Sequence, residues 1–389
     1  MTGYERLQKA INFQEADRIP LDFCGTNVTA FSKYAYEAAM QYRNLAIKHD
    51  NCTIDPIQQI ITPSLEVIDY LNIDTHRIGA RRIMNYEEKL IEEENYFSIM
   101  DHYACEWRMK KKGDLYFNQH NYPLYDFETL NNALNDFSIY DIESFRHVLE
   151  KDINSQMIHA GERGIVLDRN CAGLTEVSLR LRGYDKWFMD TVLDPVAIER
   201  LLDLLADHKI AYWEILVDII KQKGIEDKVL VASEADDLGT QTSLLLDPDT
   251  LRRMVIPKQA RIFKYIKSQL PDSKIFFHTD GAIKSIIPDL LEAGIDILNP
   301  IQYSAADMDL ATLKKLYGKD MVFWGGGIDT QEILNKGTEQ EVRDEVKKNI
   351  DILAPGGGFV FSTVHNIQAD VPPQNFWAMW ETIMEFGKY

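Results

Sequence analysis

Lys274-Ile275-Phe276-Phe277-His278-Thr279-Asp280-Gly281 is a short apolar run that ends abruptly in a histidine, a carboxylate two residues on, and a glycine. A helical pattern begins just beyond it, at Ile283. A run that is apolar throughout, rather than alternating, belongs to a strand buried on both faces, as in parallel sheets. A polar pair at its end, followed by a helix, is how a barrel strand delivers side chains to the mouth of a barrel. The same figure recurs on both sides. Upstream, Gly164-Ile165-Val166-Leu167 leads into Asp168-Arg169-Asn170, and Val229-Leu230-Val231-Ala232 leads into Ser233-Glu234-Ala235-Asp236-Asp237. Downstream, Ile295-Asp296-Ile297-Leu298 leads into Asn299-Pro300, Met321-Val322-Phe323-Trp324 into a triple glycine and Asp329, and Gly358-Phe359-Val360-Phe361 towards His365. Helical spacing separates these runs: a long face along Leu201, Leu202, Leu205, Trp213, Leu216 and Ile220, then 254–270, 286–291, 310–316, 342–353 and a closing 378–386.

The first half reads less regularly. Tyr4, Leu7, Ala10 and Ile11 fall at helical spacing, and Ile19-Pro20-Leu21-Asp22-Phe23 reads as a short strand ending at Cys24-Gly25. Helices are expected over 35–49 and 60–71, with the next strand opening near Asn72-Ile73-Asp74. Residues 83–127 break the rhythm. Cys105-Glu106-Trp107-Arg108-Met109 alternates, and Lys110-Lys111-Lys112-Gly113-Asp114 is a hairpin-like turn signal. The expectation is an α/β fold: one (β/α)8 TIM barrel domain over 1–389, with a small β-rich elaboration at about 83–127 in the N-terminal half. A doubly wound sheet is the weaker alternative, because polar groups follow nearly every strand instead of gathering at one switch point.

Composition narrows the partners. Asp plus Glu number 61 against 42 Lys plus Arg, a formal net charge of −19, which argues against nucleic acid and anionic lipid. No apolar run approaches the roughly 20 residues that cross a bilayer. Cys24, Cys52, Cys105 and Cys171 form no C-x-x-C pair and read as reduced thiols, so a cytoplasmic protein is expected. Oligomeric state is left open, a homo-oligomer included.

The barrel rule turns scattered residues into a list at one mouth: Asp22, Asp168, Arg169, Glu234, Asp236, Asp237, His278, Asp280, Asn299, Asp329 and His365. Each singly could be a helix cap or a satisfied core group. Together, His278, Asp280 and His365 supply imidazole and carboxylate donors suited to a divalent metal, zinc first, with a coordination position left open. Glu234, Asp236 and Asp237 are candidates for a further oxygen ligand or for acid–base work. Arg169, Asn299 and Asp329 are candidate substrate contacts. Gly325-Gly326-Gly327 suggests close backbone approach to a ligand, whereas Gly356-Gly357-Gly358 precedes its strand and reads as a turn.

Several segments together resemble the uroporphyrinogen decarboxylase (URO-D) superfamily: Asp236-Asp237-Leu238-Gly239-Thr240-Gln241, Phe277-His278-Thr279-Asp280-Gly281, the stretch from Ile287 to Asp296, Gly326-Gly327-Ile328-Asp329-Thr330-Gln331, Val371-Pro372-Pro373-Gln374-Asn375 and Arg18-Ile19-Pro20-Leu21-Asp22-Phe23. The resemblance implies a (β/α)8 barrel. It also implies one of two activities, cofactor-free porphyrinogen decarboxylation or zinc-dependent methyl transfer linked to a corrinoid. The decarboxylases carry an arginine-rich segment soon after the first strand; here no Arg lies between Arg18 and Arg43. The methyltransferase branch holds zinc through His-x-Cys and a later Cys. His278 stands at that histidine, Asp280 where the first Cys would be, and His365 near the second. The resemblance therefore implies a harder N/O metal site and transfer of a methyl group from a small methylated donor, such as a methoxylated one, to a corrinoid carried by a partner protein. The alternative is a decarboxylase or lyase of a small acid, with Arg169 gripping its carboxylate.

Overall fold

The structure, a computed structural model, describes residues 1–45 and 52–389. Seven parallel strands run in sequence order around one curled sheet. They are β2 (Thr75–Gly79), β3 (Gly164–Asp168), β4 (Val229–Ala235), β5 (Lys274–His278), β6 (Ile297–Asn299), β7 (Val322–Trp324) and β8 (Phe359–Val360). The ring is closed by residues 20–22, here β1. Leu21 bridges Phe361 in parallel, and its carbonyl accepts the Asp74 amide at 2.9 Å. The doubly wound alternative is thereby excluded.

Side chains alternate along each strand, so every second residue enters the barrel. Val166, Val231, Phe276, Ile297, Val322, Trp324 and Val360 form one buried cluster with Leu7, Ala10 and Ile11. The last three belong to the N-terminal helix Gly3–Ala10 and its C-cap, which plug the end opposite the mouth. Outward residues such as Phe277 pack on the helices, its ring 5.5 Å edge-on from Phe263. The interior is therefore filled from below, and only the C-terminal ends of the strands are left to build a cavity.

The helix Pro195–Gln222 spans 28 residues, far longer than its strands. Pro at its first turn and the Asp194 side chain on the Ala197 amide start it, and an unbroken apolar face sustains it. The expected elaboration is a four-stranded antiparallel sheet of Ile91–Glu92, Tyr96–Met100, Glu106–Lys110 and Asn118–Gln119. Trp107 and Met109 are buried beneath it, as the alternation required.

Two N-terminal expectations change. The helix expected over 60–71 is a strand, Ile60–Thr62, followed by a shorter helix, Leu65–Tyr70. Pro63 disfavours a helical residue before it, and Ser64 takes the N-cap position. The helix expected over 35–49 is Lys33–Tyr42, and positions 46–49 lie outside the described residues. Cys24, Cys105 and Cys171 are buried free thiols; the side chain of Cys52 also lies outside what is described. Among the described residues no helix is long and apolar enough to cross a membrane.

Candidate active site and metal centre

The end of β5 is fixed residue by residue. The carbonyl of His278 accepts the Asp236 amide at 2.9 Å, and the Thr279 amide donates to the Asn299 carbonyl at 2.7 Å. Thr279 turns outward and its hydroxyl accepts from the Leu238 amide at 3.1 Å. His278 and Asp280 are thus both sent into the mouth. Gly281 follows at φ +90°, where a Cβ would lie 2.5 Å from the Thr240 carbonyl, so only glycine lets the chain leave here.

His278 and Asp280 meet His365, which arrives from the loop after β8. One donor atom from each of the three lies within 4.8 Å of the others. His278 Nε2 is 3.5 Å from Asp280 Oδ2, and His365 Nε2 is 3.9 Å from the same oxygen. Bonds of about 2.0–2.2 Å to a tetrahedral ion would set donor atoms roughly 3.3–3.6 Å apart, so a small inward movement of His365 completes the set. The tautomer of His278 is determined by its other nitrogen. Nδ1 lies 2.7 Å from Asn299 Oδ1, and the Asn299 amide is oriented because its Nδ2 donates to the Trp324 carbonyl at 2.8 Å. Nδ1 therefore carries the proton and Nε2 keeps its lone pair for the cavity, as metal-binding histidines require.

Electrostatics at this point favour a cation. Burial works against the His278 imidazolium, but Asp280 and Asp237 outweigh it and raise its pKa. Burial likewise works against the Asp280 carboxylate, and His278 more than compensates, drawing its pKa down. Burial lowers the pKa of His365, opposed by Asp280. Asp237, whose Oδ1 is 4.0 Å from His278 Nε2, stands at the open side of the cluster, its side chain 44% exposed. Partial desolvation, with Glu176 and Asp280 nearby, raises its pKa above the usual carboxylate range. One carboxylate and two imidazoles are a suitable donor set for a divalent ion.

The other candidates divide sharply. Glu234 points out of the barrel to the helix Pro195–Gln222, where Lys209 Nζ and Trp213 Nε1 each meet its carboxylate at 2.7 Å. Asp236 caps the helix Leu174–Arg182, accepting from the Thr175 and Glu176 amides and from Gln259 Nε2. Burial raises its pKa to about 6. Asp22 holds Thr75 Oγ1 and Trp324 Nε1, each at 2.7 Å. Asp329 accepts from the Gln331 and Glu332 amides, leaving Oδ1 buried without a partner. Asn299 serves His278. Gly325 and Gly327 donate their amides to Val360 and Ser362, and Cβ atoms there would meet Asn299 Nδ2 and the Phe361 ring. The triple glycine thus packs strand ends together and offers those two amides to no ligand. Gly356 to Gly358 form the turn expected, against Gln14 and Phe13.

Two participants escaped the sequence reading. Glu176, on the first turn of its helix, accepts from the Gly173 amide at 2.9 Å, and its charge reaches Asp237 and His365. Arg77 sits inside β2, where its Nε meets Asp168 Oδ2 at 2.6 Å. A charged residue in an otherwise buried strand was the available signal.

Among solved structures, the chain is similar to a methyltransferase from Methanosarcina mazei, with TM-score 0.64, 16% identity and 99% of each chain covered. At that identity the likeness establishes the fold. A likeness to xylanase 10B from Thermotoga maritima, with TM-score 0.34, 11% identity and 67% and 84% of the two chains covered, bears no weight. Comparison with curated proteins returned no match. The family profile of uroporphyrinogen decarboxylase (URO-D) matches residues 176–386, more than half of the chain. That span takes in His278, Asp280 and His365, and by it the chain belongs to the uroporphyrinogen decarboxylase (URO-D) family.

Proposed function

We propose that the protein is a methyltransferase that moves a methyl group from a small methoxylated donor to a corrinoid carried by a partner protein. The observation that carries this reading is the convergence of His278, Asp280 and His365 with His278 Nε2 left free. The resemblance to the methyltransferase branch, and a neighbour of that name over the whole chain length, support it. A bound divalent ion, zinc first, would supply Lewis acidity towards the methoxyl oxygen. Asp280 in place of a thiolate makes the donor set harder, which suits an ether oxygen better than a thiol.

The chain's own residues provide the rest. Asn299 holds His278 in one tautomer. Asp237, its proton retained by its surroundings, stands beside the cluster and protonates the departing oxygen. As the C–O bond breaks, both its electrons stay on oxygen, which takes the Asp237 proton; a reduced corrinoid, when bound, would supply the electron pair for the new bond to carbon. Glu234 and Asp236 act as structural supports. The enzyme works as one barrel domain in the cytoplasm, where its buried thiols stay reduced.

The test is methyl transfer to free cob(I)alamin, with and without prior chelation. Transfer abolished by chelation and restored by zinc is the expected result. Release of carbon dioxide from a small acid with no need for a corrinoid would instead favour the lyase alternative.

A further inference from the structure

Arg169 leaves the end of β3 and is 4% exposed. Among the described residues its one hydrogen bond runs from Nη1 to Ser233 Oγ at 3.0 Å, while Nε is buried without a partner. Its neighbouring carboxylate is Asp168, whose Oδ1 faces Arg169 Nη1 at 3.5 Å while its Oδ2 is held at 2.6 Å by Arg77 and accepts the Asn27 amide. One carboxylate thus stands between two buried guanidinium groups. The other arginines near the mouth are occupied: Arg82 by Asp55 at 2.7 Å, Arg180 by Glu176 at 2.9 Å, and Arg182 by Asp190 at 2.7 Å. Two buried cations sharing one carboxylate leave a positive charge over, which is costly, and the unpartnered Nε edge of Arg169 is one that can grip a carboxylate with two parallel bonds. Next to it in the chain, Asn170 Oδ1 is also buried without a partner.

Arg169 also acts on the metal cluster. Its charge weighs on both His278 and His365. It leaves β3 and His278 leaves β5, two strand spacings away, on the order of 10 Å. A ligand that touches both places needs a carboxylate and a reacting group joined by a short spacer. One spare guanidinium matches one carboxylate, and Asp280 and Glu176 would repel a polyanion.

We infer that Arg169 anchors the donor's carboxylate, so that the substrate is a small methoxylated monocarboxylic acid rather than a neutral ether or an alcohol. This rests on the methyltransferase reading for its chemistry, but the anchor itself can be tested without turnover. Calorimetric titration of the wild-type protein with benzoate and with toluene is the first arm. Benzoate is expected to bind and toluene to bind far more weakly; equal binding, or no binding of benzoate, overturns the inference. The second arm compares 4-methoxybenzoate with anisole as methyl donors to cob(I)alamin. The acid is expected to be preferred in kcat/KM, and Arg169→Met to lower that preference on the order of 10²-fold, mainly through KM, with zinc content retained. Arg169→Lys should restore part of it. A preference unchanged in Arg169→Met assigns the residue a purely structural role and overturns the inference. If that variant does not fold, the wild-type titration decides. Zinc bound with no preference for the acid sinks this inference alone, whereas benzoate binding to a protein that binds no metal sinks the methyltransferase reading and leaves the anchor standing.

Discussion

The ends of β4 and β5 are hydrogen-bonded neighbours, Ala235 opposite His278, and both present carboxylates just where a barrel gathers its chemistry. Their fates are opposite. At β4, Glu234 is locked between Lys209 and Trp213, and Asp236 is closed over a helix N-terminus. At β5, Asp280 faces two imidazoles across 3.5 and 3.9 Å. Position at the mouth is therefore not enough to identify a reacting group. What separates the two strand ends is whether the polar atoms already have partners in the protein.

The comparison breaks most visibly if the β5 side is removed. His278→Ala or Asp280→Asn should abolish zinc binding and lower methyl transfer on the order of 10³-fold while the thermal unfolding transition stays cooperative. On the β4 side the expected loss is one of stability. Lys209→Met leaves the Glu234 carboxylate buried and uncompensated, which should cost about 3–5 kcal/mol in urea unfolding, with zinc content unchanged. Adding Glu234→Leu should recover most of that loss.

Asp236 sharpens the contrast through pH. Its folded pKa of about 6 lies above the ordinary value, so its contribution to stability is fully present below about pH 4 and is lost as pH rises through 6. Asp236→Asn should remove on the order of 2–3 kcal/mol of pH-dependent stability across that window, read as urea midpoints at pH 4 and pH 7. The smallest effect belongs to the group behind the metal ligand. Asn299→Leu should weaken zinc about 10–100-fold in competition with a chelator, because His278 loses the bond that fixes its tautomer.

The barrel was legible because each strand from Gly164 onward is a continuous apolar run closed by polar residues, a pattern that burial on both faces imposes. Even β1, only residues 20–22, was visible through Ile19-Pro20-Leu21-Asp22-Phe23. The stretch 60–71 was not, because the apolar residues of Ile60–Thr62 and Leu65–Tyr70 merge into one helical spacing unless Pro63-Ser64 is given its weight. In the site, His278, Asp280 and His365 could be read as strand-end donors, and the fold brings them together. The role of Glu234 could not be read, since Lys209 lies 25 residues away on a helix face that shows only its apolar periodicity. Asn299 was noticed as a polar strand end, but its partner His278 is set by the register between β5 and β6.

The central claim is that the β5 and β8 ends form a nitrogen–oxygen metal centre. The direct measurement is metal content of the purified protein after stripping and reloading with zinc, paired with X-ray absorption at the zinc edge. One zinc per chain, with only nitrogen and oxygen neighbours at about 2.0–2.2 Å and lost in His365→Ala, is the result expected. A protein that holds no stoichiometric zinc, or one whose zinc has sulfur neighbours at about 2.3 Å, would contradict the account.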